Sequence, residues 1–284
     1  FYNIRNVVYT GTAEGTPWGA KCVNGFIDGY LVYADETKTK LMACLPEITG
    51  EIILPSSVTY INESAFKECK GLTMVHIPEG VTQIDSYTFY MCTGLTTITI
   101  PDNIKNIGNY AFERCSNLES VLIGKGVSSI GISAFRGCKN LSSITIPDNI
   151  QTIEAYSFEG CTNLLSVVIG KGLSSIGEYS FEWCESLKSI TVDMDNPNYC
   201  SIDEVLFNKD NSILICYPAN RPNATYEIPI GVVGIESGAF AYSKNLQSII
   251  IPNTVERVGY SAFYGCESLS SVHISDIATW CEIE

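Results

Sequence analysis

Residues 95–115 read LTTITIPDNIKNIGNYAFERC, and this stretch returns with small changes along most of the chain. Leu95, Ile98 and Ile100 are apolar with threonines between them, and Pro101 ends the run, which predicts a short β-branched strand closed by proline. Ile104 and Ile107 flank two polar residues and predict a second, shorter strand, which Gly108 breaks. The piece that follows, Tyr110 to Cys115, predicts one helical or 3₁₀ turn.

Working outward, Cys115 is one of a ladder: Cys69, Cys92, Cys115, Cys138, Cys161 and Cys184 recur every 23 residues, each three residues after a phenylalanine. Phe66, Phe89, Phe112, Phe135, Phe158 and Phe181 keep the same step, as do Leu72, Leu95, Leu118, Leu141, Leu164 and Leu187. Self-similarity at a fixed short period marks a solenoid, and 23 falls in the leucine-rich-repeat range. The expected fold is a leucine-rich-repeat solenoid, a β-rich, right-handed β/α superhelix whose coils stack through a parallel sheet with short helical or 3₁₀ turns. Equivalent residues stack at about 4.8 Å, leucine on leucine and phenylalanine on phenylalanine. One coil buries too little to order itself, so neighbours must supply the difference.

The repeats run from about Ile52 to Ile274 and place all 284 residues in one elongated solenoid domain. Residues 1–51 read as an N-terminal variant repeat with a hairpin, 52–192 as regular repeats, 193–227 as a hairpin insertion and 228–284 as further repeats. The insertion shows as an interval of 59 residues from Phe181 to Phe240, one period of 23 plus 36. Within it, Val205-Leu206-Phe207 and Ile213-Leu214-Ile215-Cys216-Tyr217 flank a polar turn and end at Pro218, predicting a hairpin that projects from the solenoid. The N-terminal region repeats this arrangement: Asp28–Tyr33 parallels Asp203–Asn208, and Met42–Pro46 parallels Leu214–Pro218.

The net charge is −14, from 17 basic and 31 acidic residues, with no Lys/Arg cluster. Nucleic acid and anionic membrane surfaces are therefore poor partners. No apolar run approaches the roughly 20 residues of a membrane span. The chain begins at Phe1, which points to a removed leader or a fragment, and it carries no visible export signal.

Of the 12 cysteines, seven, including Cys266, occupy one repeat position. Stacked equivalents leave Cβ atoms about 4.8 Å apart where a disulfide wants about 3.8 Å, so free buried thiols are expected. Ser243 stands at the same position in the coil of Phe240, a swap that packing tolerates and a bonded ladder does not. Cys22, Cys44, Cys200, Cys216 and Cys281 lie outside the ladder and cannot be paired from sequence.

Taken together, LTTITIPDNIKNIGNYAFERC, the long form NPNYCSIDEVLFNKDNSILICYPAN (196–220) and the ending ISDIATWCEIE (274–284) resemble the BspA-like leucine-rich-repeat proteins, largely bacterial surface and secreted proteins. The resemblance runs from about Trp18 onward. It implies an extracellular or cell-surface location, and partners among host extracellular-matrix proteins or neighbouring bacteria. It also implies further repeats after the final segment, which makes Glu284 a truncation point.

Motifs that would carry chemistry are weak. His76 and His273 occupy the same outward strand position in coils more than about 30 Å apart, which excludes a shared metal. Ile123-Gly124-Lys125-Gly126 and Ile169-Gly170-Lys171-Gly172 lack the upstream glycine and the Ser/Thr of a phosphate loop, and fill the strand-ending turn taken elsewhere by Pro101-Asp102-Asn103. Asp193 to Asn198 offers oxygens but lacks the later glycine and glutamate of a calcium loop, so it reads as the turn that opens the long repeat. No nucleophile elbow occurs. No catalytic residue, metal site or cofactor is indicated, and the chain does not read as an enzyme.

What remains is surface. In Leu-x-x-Ile-x-Ile the x positions face outward, and stacking turns them into columns. One holds Met74, Thr97, Ser120, Ser143, Ser166, Ser189, Ser248 and Ser271; the other holds His76, Thr99, Leu122, Thr145, Val168, Thr191, Ile250 and His273. Thr99, Leu122, Thr145, Val168, Thr191 and Ile250 are the candidate partner-binding residues, against the plainer reading of Ser/Thr columns as β-propensity filler. Trp183, Tyr242, Tyr90 and Tyr264, beside the phenylalanine turn, form a competing aromatic edge. The leading expectation is an adhesin-like binding solenoid that engages a protein; a glycan or cell-envelope binding module and a structural spacer are the alternatives.

Overall fold

The computed structural model describes residues 26–274. Cys22, Cys281 and the segment after Ile274 lie outside them.

Each coil contributes one longer and one shorter strand. The longer strands include Gly71–His76, Thr97–Ile100, Ser120–Ile123, Ser143–Ile146, Ser166–Ile169, Ser189–Val192, Ser248–Ile251 and Ser271–Ile274. They pair in parallel: Ser143 faces Ser166 and Ser166 faces Ser189, one period on each time, while the register shifts at Gly50/Glu51 where Thr49–Ile53 meets Gly71–His76. The shorter strands Asn106–Ile107, Ser129–Ile130, Thr152–Ile153 and Ser175–Ile176 form a second parallel sheet. Ile98, Ile100, Ile104 and Ile107 point inward and are buried, as their spacing requires.

The third side is the phenylalanine turn. Rings of Phe66, Phe89, Phe112 and Phe135 stack at 5.1 Å, nearly parallel. Phe158 and Phe181 continue the column at 5.4 and 5.7 Å. From Cys92 onward each ladder thiol donates to the carbonyl of the phenylalanine one coil back, at 2.9 Å for Cys92 to Phe66, 3.1 Å for Cys115 to Phe89 and 3.3 Å for Cys161 to Phe135, whereas Cys69 meets the carbonyls of Cys44 and Leu45. Phe112 shows the economy of this: its oxygen takes the N–H of Cys115 and the thiol of Cys138. Cysteine therefore serves as a small apolar residue that satisfies a buried carbonyl. All ten cysteines in the described region are free, including Cys44, Cys200 and Cys216. Burial raises the thiols of Cys138, Cys161 and Cys184 well above their ordinary range, Cys161 to about 12, so these three stay protonated and unreactive at neutral pH.

The turns are not helical or 3₁₀, and no helix occurs among the described residues. The N–H groups of Ala111, Glu113 and Cys115 bond three residues back, but those of Tyr110, Phe112 and Arg114 donate to Ile132, Ala134 and Arg136 in the next coil. To aim alternate N–H groups outward, Tyr110 and Arg114 take left-handed φ values of 58° and 60°, which a helix cannot contain. The pairing between coils thus outweighs the local helical bonds.

The long repeat also differs from expectation. Tyr199–Ile202, Val205–Asn208 and Ile213–Cys216 form a three-stranded antiparallel meander, and its last strand joins Gly234–Ile235 in parallel. It does not project. Val205, Leu206, Phe207 and Leu214 are fully buried, because three consecutive apolar residues supply both faces of a strand. Leu206 closes one core cluster, while Val205 and Phe207 open the next. The N-terminal variant repeats the plan, with Phe26–Asp28, Leu31–Tyr33 and Lys40–Cys44 antiparallel and the last joined to Tyr60–Ile61. No helix of the described residues is long and apolar enough to cross a membrane.

Candidate functional site

The long-strand face carries the candidate column. Thr99 pairs with Leu122, Thr145 with Val168 and Val168 with Thr191, all exposed. Leu122 is 65% exposed and Val168 45%, whereas the inward neighbours Ile144 and Val167 are buried, so the strands face the expected way. In the adjacent column Ser120 donates to the Thr97 hydroxyl at 3.0 Å, tying coils together with short side chains. Thr99, Leu122, Thr145, Val168 and Thr191 therefore share one face. Ile250 does not join them directly: it is half-buried, pairs with Glu227 and His273, and lies beyond the meander that follows Thr191.

The aromatic edge has its own geometry. Tyr87 stacks on Tyr110 at 4.7 Å, Tyr156 on Tyr179 at 5.4 Å, and Trp183 lies 4.8 Å from Tyr242, which meets Tyr264 at 5.5 Å. Tyr87, Tyr110, Tyr156, Tyr179, Trp183 and Tyr242 all hold left-handed φ near 60°, where bulky residues are uncommon. Gly137, Gly160 and Gly265 occupy the same repeat position as Trp183 and Tyr242. Glycine thus recurs at a left-handed position, although Glu68, Met91, Arg114, Trp183 and Tyr242 fill the same column elsewhere.

The weaker motifs resolve into structure. The Asp102 carboxylate accepts the Lys125 N–H at 2.7 Å, and a Cβ on Gly126 would fall 1.9 Å from the Asp102 carbonyl oxygen. The Gly-Lys-Gly turns are glycine because the coil beneath comes too close for a side chain. Asn196 is fully buried, donates to the carbonyls of Gly170 and Leu173, and accepts from the N–H groups of Asn198 and Tyr199; it ties the start of the long repeat to the coil before. His76 is exposed and lies 2.5 Å from Glu51. Among the described residues no three His, Cys, Asp or Glu side chains are grouped to hold a metal ion.

In-register parallel strands, a stacked phenylalanine column and a 23-residue step define a leucine-rich-repeat solenoid. The model described as BspA type leucine rich repeat region matches residues 44–164, 128–222 and 215–282, and the chain belongs to that family. The chain is similar to a leucine rich cell surface protein from Faecalibacterium prausnitzii A2-165, with 27% identity and a TM-score of 0.66 over 95% of this chain and 79% of that one. Two further solved structures share the fold. A leucine-rich repeat protein from Eubacterium ventriosum has 23% identity and a TM-score of 0.65, covering 86% of this chain and 69% of that one. One from Bacteroides ovatus has 24% identity and a TM-score of 0.62, covering 89% and 71%. No curated protein sequence matches the chain.

Proposed function

We propose that the chain is a non-enzymatic, adhesin-like binding protein, displayed on or released from the cell, that engages a protein partner through its long-strand face. The carrying observation is the exposure of Leu122 and Val168, at 65% and 45%, between the short hydroxyl side chains of Thr99, Thr145 and Thr191. Apolar side chains there add favourable burial on docking, and threonines lose little rotamer entropy. A surface location draws support from the family and from the similar cell surface protein. Host extracellular-matrix proteins are the partner class that the family resemblance favours.

A glycan or envelope-binding reading has one observation in its favour, the exposed rings of Trp183 and Tyr264 at 44% and 59%. Immobilised matrix proteins and a glycan array probed in parallel separate the two. Saturable retention on a protein, with no glycan enriched, is expected. A glycan hit abolished by Trp183→Ala would move the site to the aromatic edge.

A further inference from the structure

The ladder of turns is interrupted after the coil of Phe181. In the regular coils the N–H groups of Tyr156, Phe158 and Gly160 donate to the carbonyls of Glu178, Ser180 and Glu182 in the next coil. Among the described residues, the corresponding N–H groups of Tyr179, Phe181 and Trp183 find no such acceptor. The coil that follows is that of Phe240, and there Ala239 accepts from Tyr217 alone, at 2.7 Å, while the carbonyls of Ser237 and Ala241 take no donor from the preceding coil. Tyr217, stacked 5.0 Å from Phe240, stands in for an entire Phe-x-x-Cys turn. Phe181 is accordingly the one rung of the first six with measurable exposure, 7%.

The result is a cleft of about 320 Å³ between the two coils, within the range of ligand-binding pockets. The unpaired donors of Tyr179 and Phe181, at alternate residues, line one wall and the unpaired carbonyls of Ser237 and Ala241 the other, the pattern by which a sheet edge accepts an added strand. Backbone N–H and C=O groups that lack a chain partner are free to bond to an added main chain, so an occupant that supplies carbonyls and N–H groups gains from both walls. Glu178 and Glu182 lie on the lining, as does Glu236, whose carboxylate pairs with Arg257 at 3.3 Å. Contacts of Trp183 with Tyr242 and of Lys244 with Glu185, the latter at 2.5 Å, join the walls at one end, and at the other the Tyr179 ring lies against Gly238.

We infer that this cleft is a binding site for an extended, basic peptide segment, which adds the absent rung through its main chain and pairs its Lys or Arg side chains with the carboxylates. A second copy of this chain is a poor occupant, since it brings a net charge of −14 to an acidic rim. The site is separate from the long-strand face and stands whether or not that face binds a protein.

The test selects a displayed library of random linear peptides on the whole chain and follows backbone amide exchange with and without a selected peptide. Enriched peptides should be net positive. Their affinity should fall at least tenfold in the Glu178→Gln/Glu182→Gln protein and be lost in Ala241→Trp, which fills the cleft. In the free protein the amides of Tyr179, Phe181 and Trp183 should exchange faster than those of Tyr156, Phe158 and Gly160, and saturating peptide should slow the first set. The double glutamine variant keeps the test usable if Ala241→Trp does not fold. No enrichment, enrichment of acidic or neutral peptides, unchanged affinity in the glutamine variant, or unchanged exchange at Tyr179, Phe181 and Trp183 would each overturn the proposal. So would self-association of the chain abolished by the same variants, which would give the cleft to a second copy.

Discussion

Phe135→Ala is expected to lower the unfolding free energy by about 3–5 kcal/mol, the usual loss for deleting a fully buried aromatic ring from a well-packed interior. Phe135 is completely buried and stacks on Phe112 at 5.1 Å and Phe158 at 5.4 Å. Its loss therefore opens a void between two rings that backbone bonds hold at coil spacing and that cannot close in. Phe66→Ala should cost less, because Phe66 has a ladder ring on one side only, Phe89 at 5.1 Å. Urea denaturation of both variants beside the parent checks the order. Equal midpoints for the parent and Phe135→Ala would remove the phenylalanine column from the core.

The second large effect is expected at a position with no side chain. Gly126→Ala should cost about 3 kcal/mol, since overpacking a tight site commonly costs about 1–3 kcal/mol and here the clash is with backbone. The new Cβ would sit 1.9 Å from the Asp102 carbonyl oxygen and 2.7 Å from that of Ile104, and neither can swing away without breaking the coil beneath. Gly172→Ala repeats the test two coils further on, where the Asp148 carbonyl oxygen lies at 1.9 Å. Thermal unfolding reads both. An unchanged midpoint for Gly126→Ala would mean that the coils stack more loosely than their bonds imply.

The repeat was legible because stacking forces each coil to present the same side chains at the same height, so Phe112, Cys115 and Leu118 recur on schedule. Turn conformation was not, because a 3₁₀ turn and the observed turn share the bond from Cys115 to Phe112. What separates them is the partner of Phe112 N–H, a residue one coil away. Burial of the meander was readable in Val205-Leu206-Phe207, whose unbroken apolar run excludes one wet face, yet a polar turn beside it argued for a projecting hairpin. The outward column was placed correctly from strand alternation for Thr99 through Thr191. Its break before Ile250 follows from where the 36 extra residues go, which periodicity alone does not reveal. The missing rung was visible only as the interval from Phe181 to Phe240.

The affinity of an identified protein partner for Leu122→Glu/Val168→Glu, measured beside Trp183→Ala, tests the proposed binding face most directly. Both residues are exposed, so the double variant should fold with a nearly unchanged melting temperature. Two unpaired charges desolvated at the centre of an interface should weaken binding at least tenfold, about 1.4 kcal/mol, while Trp183→Ala changes little. Normal binding by the double variant, with loss of binding by Trp183→Ala, would contradict the account and place the partner on the aromatic edge.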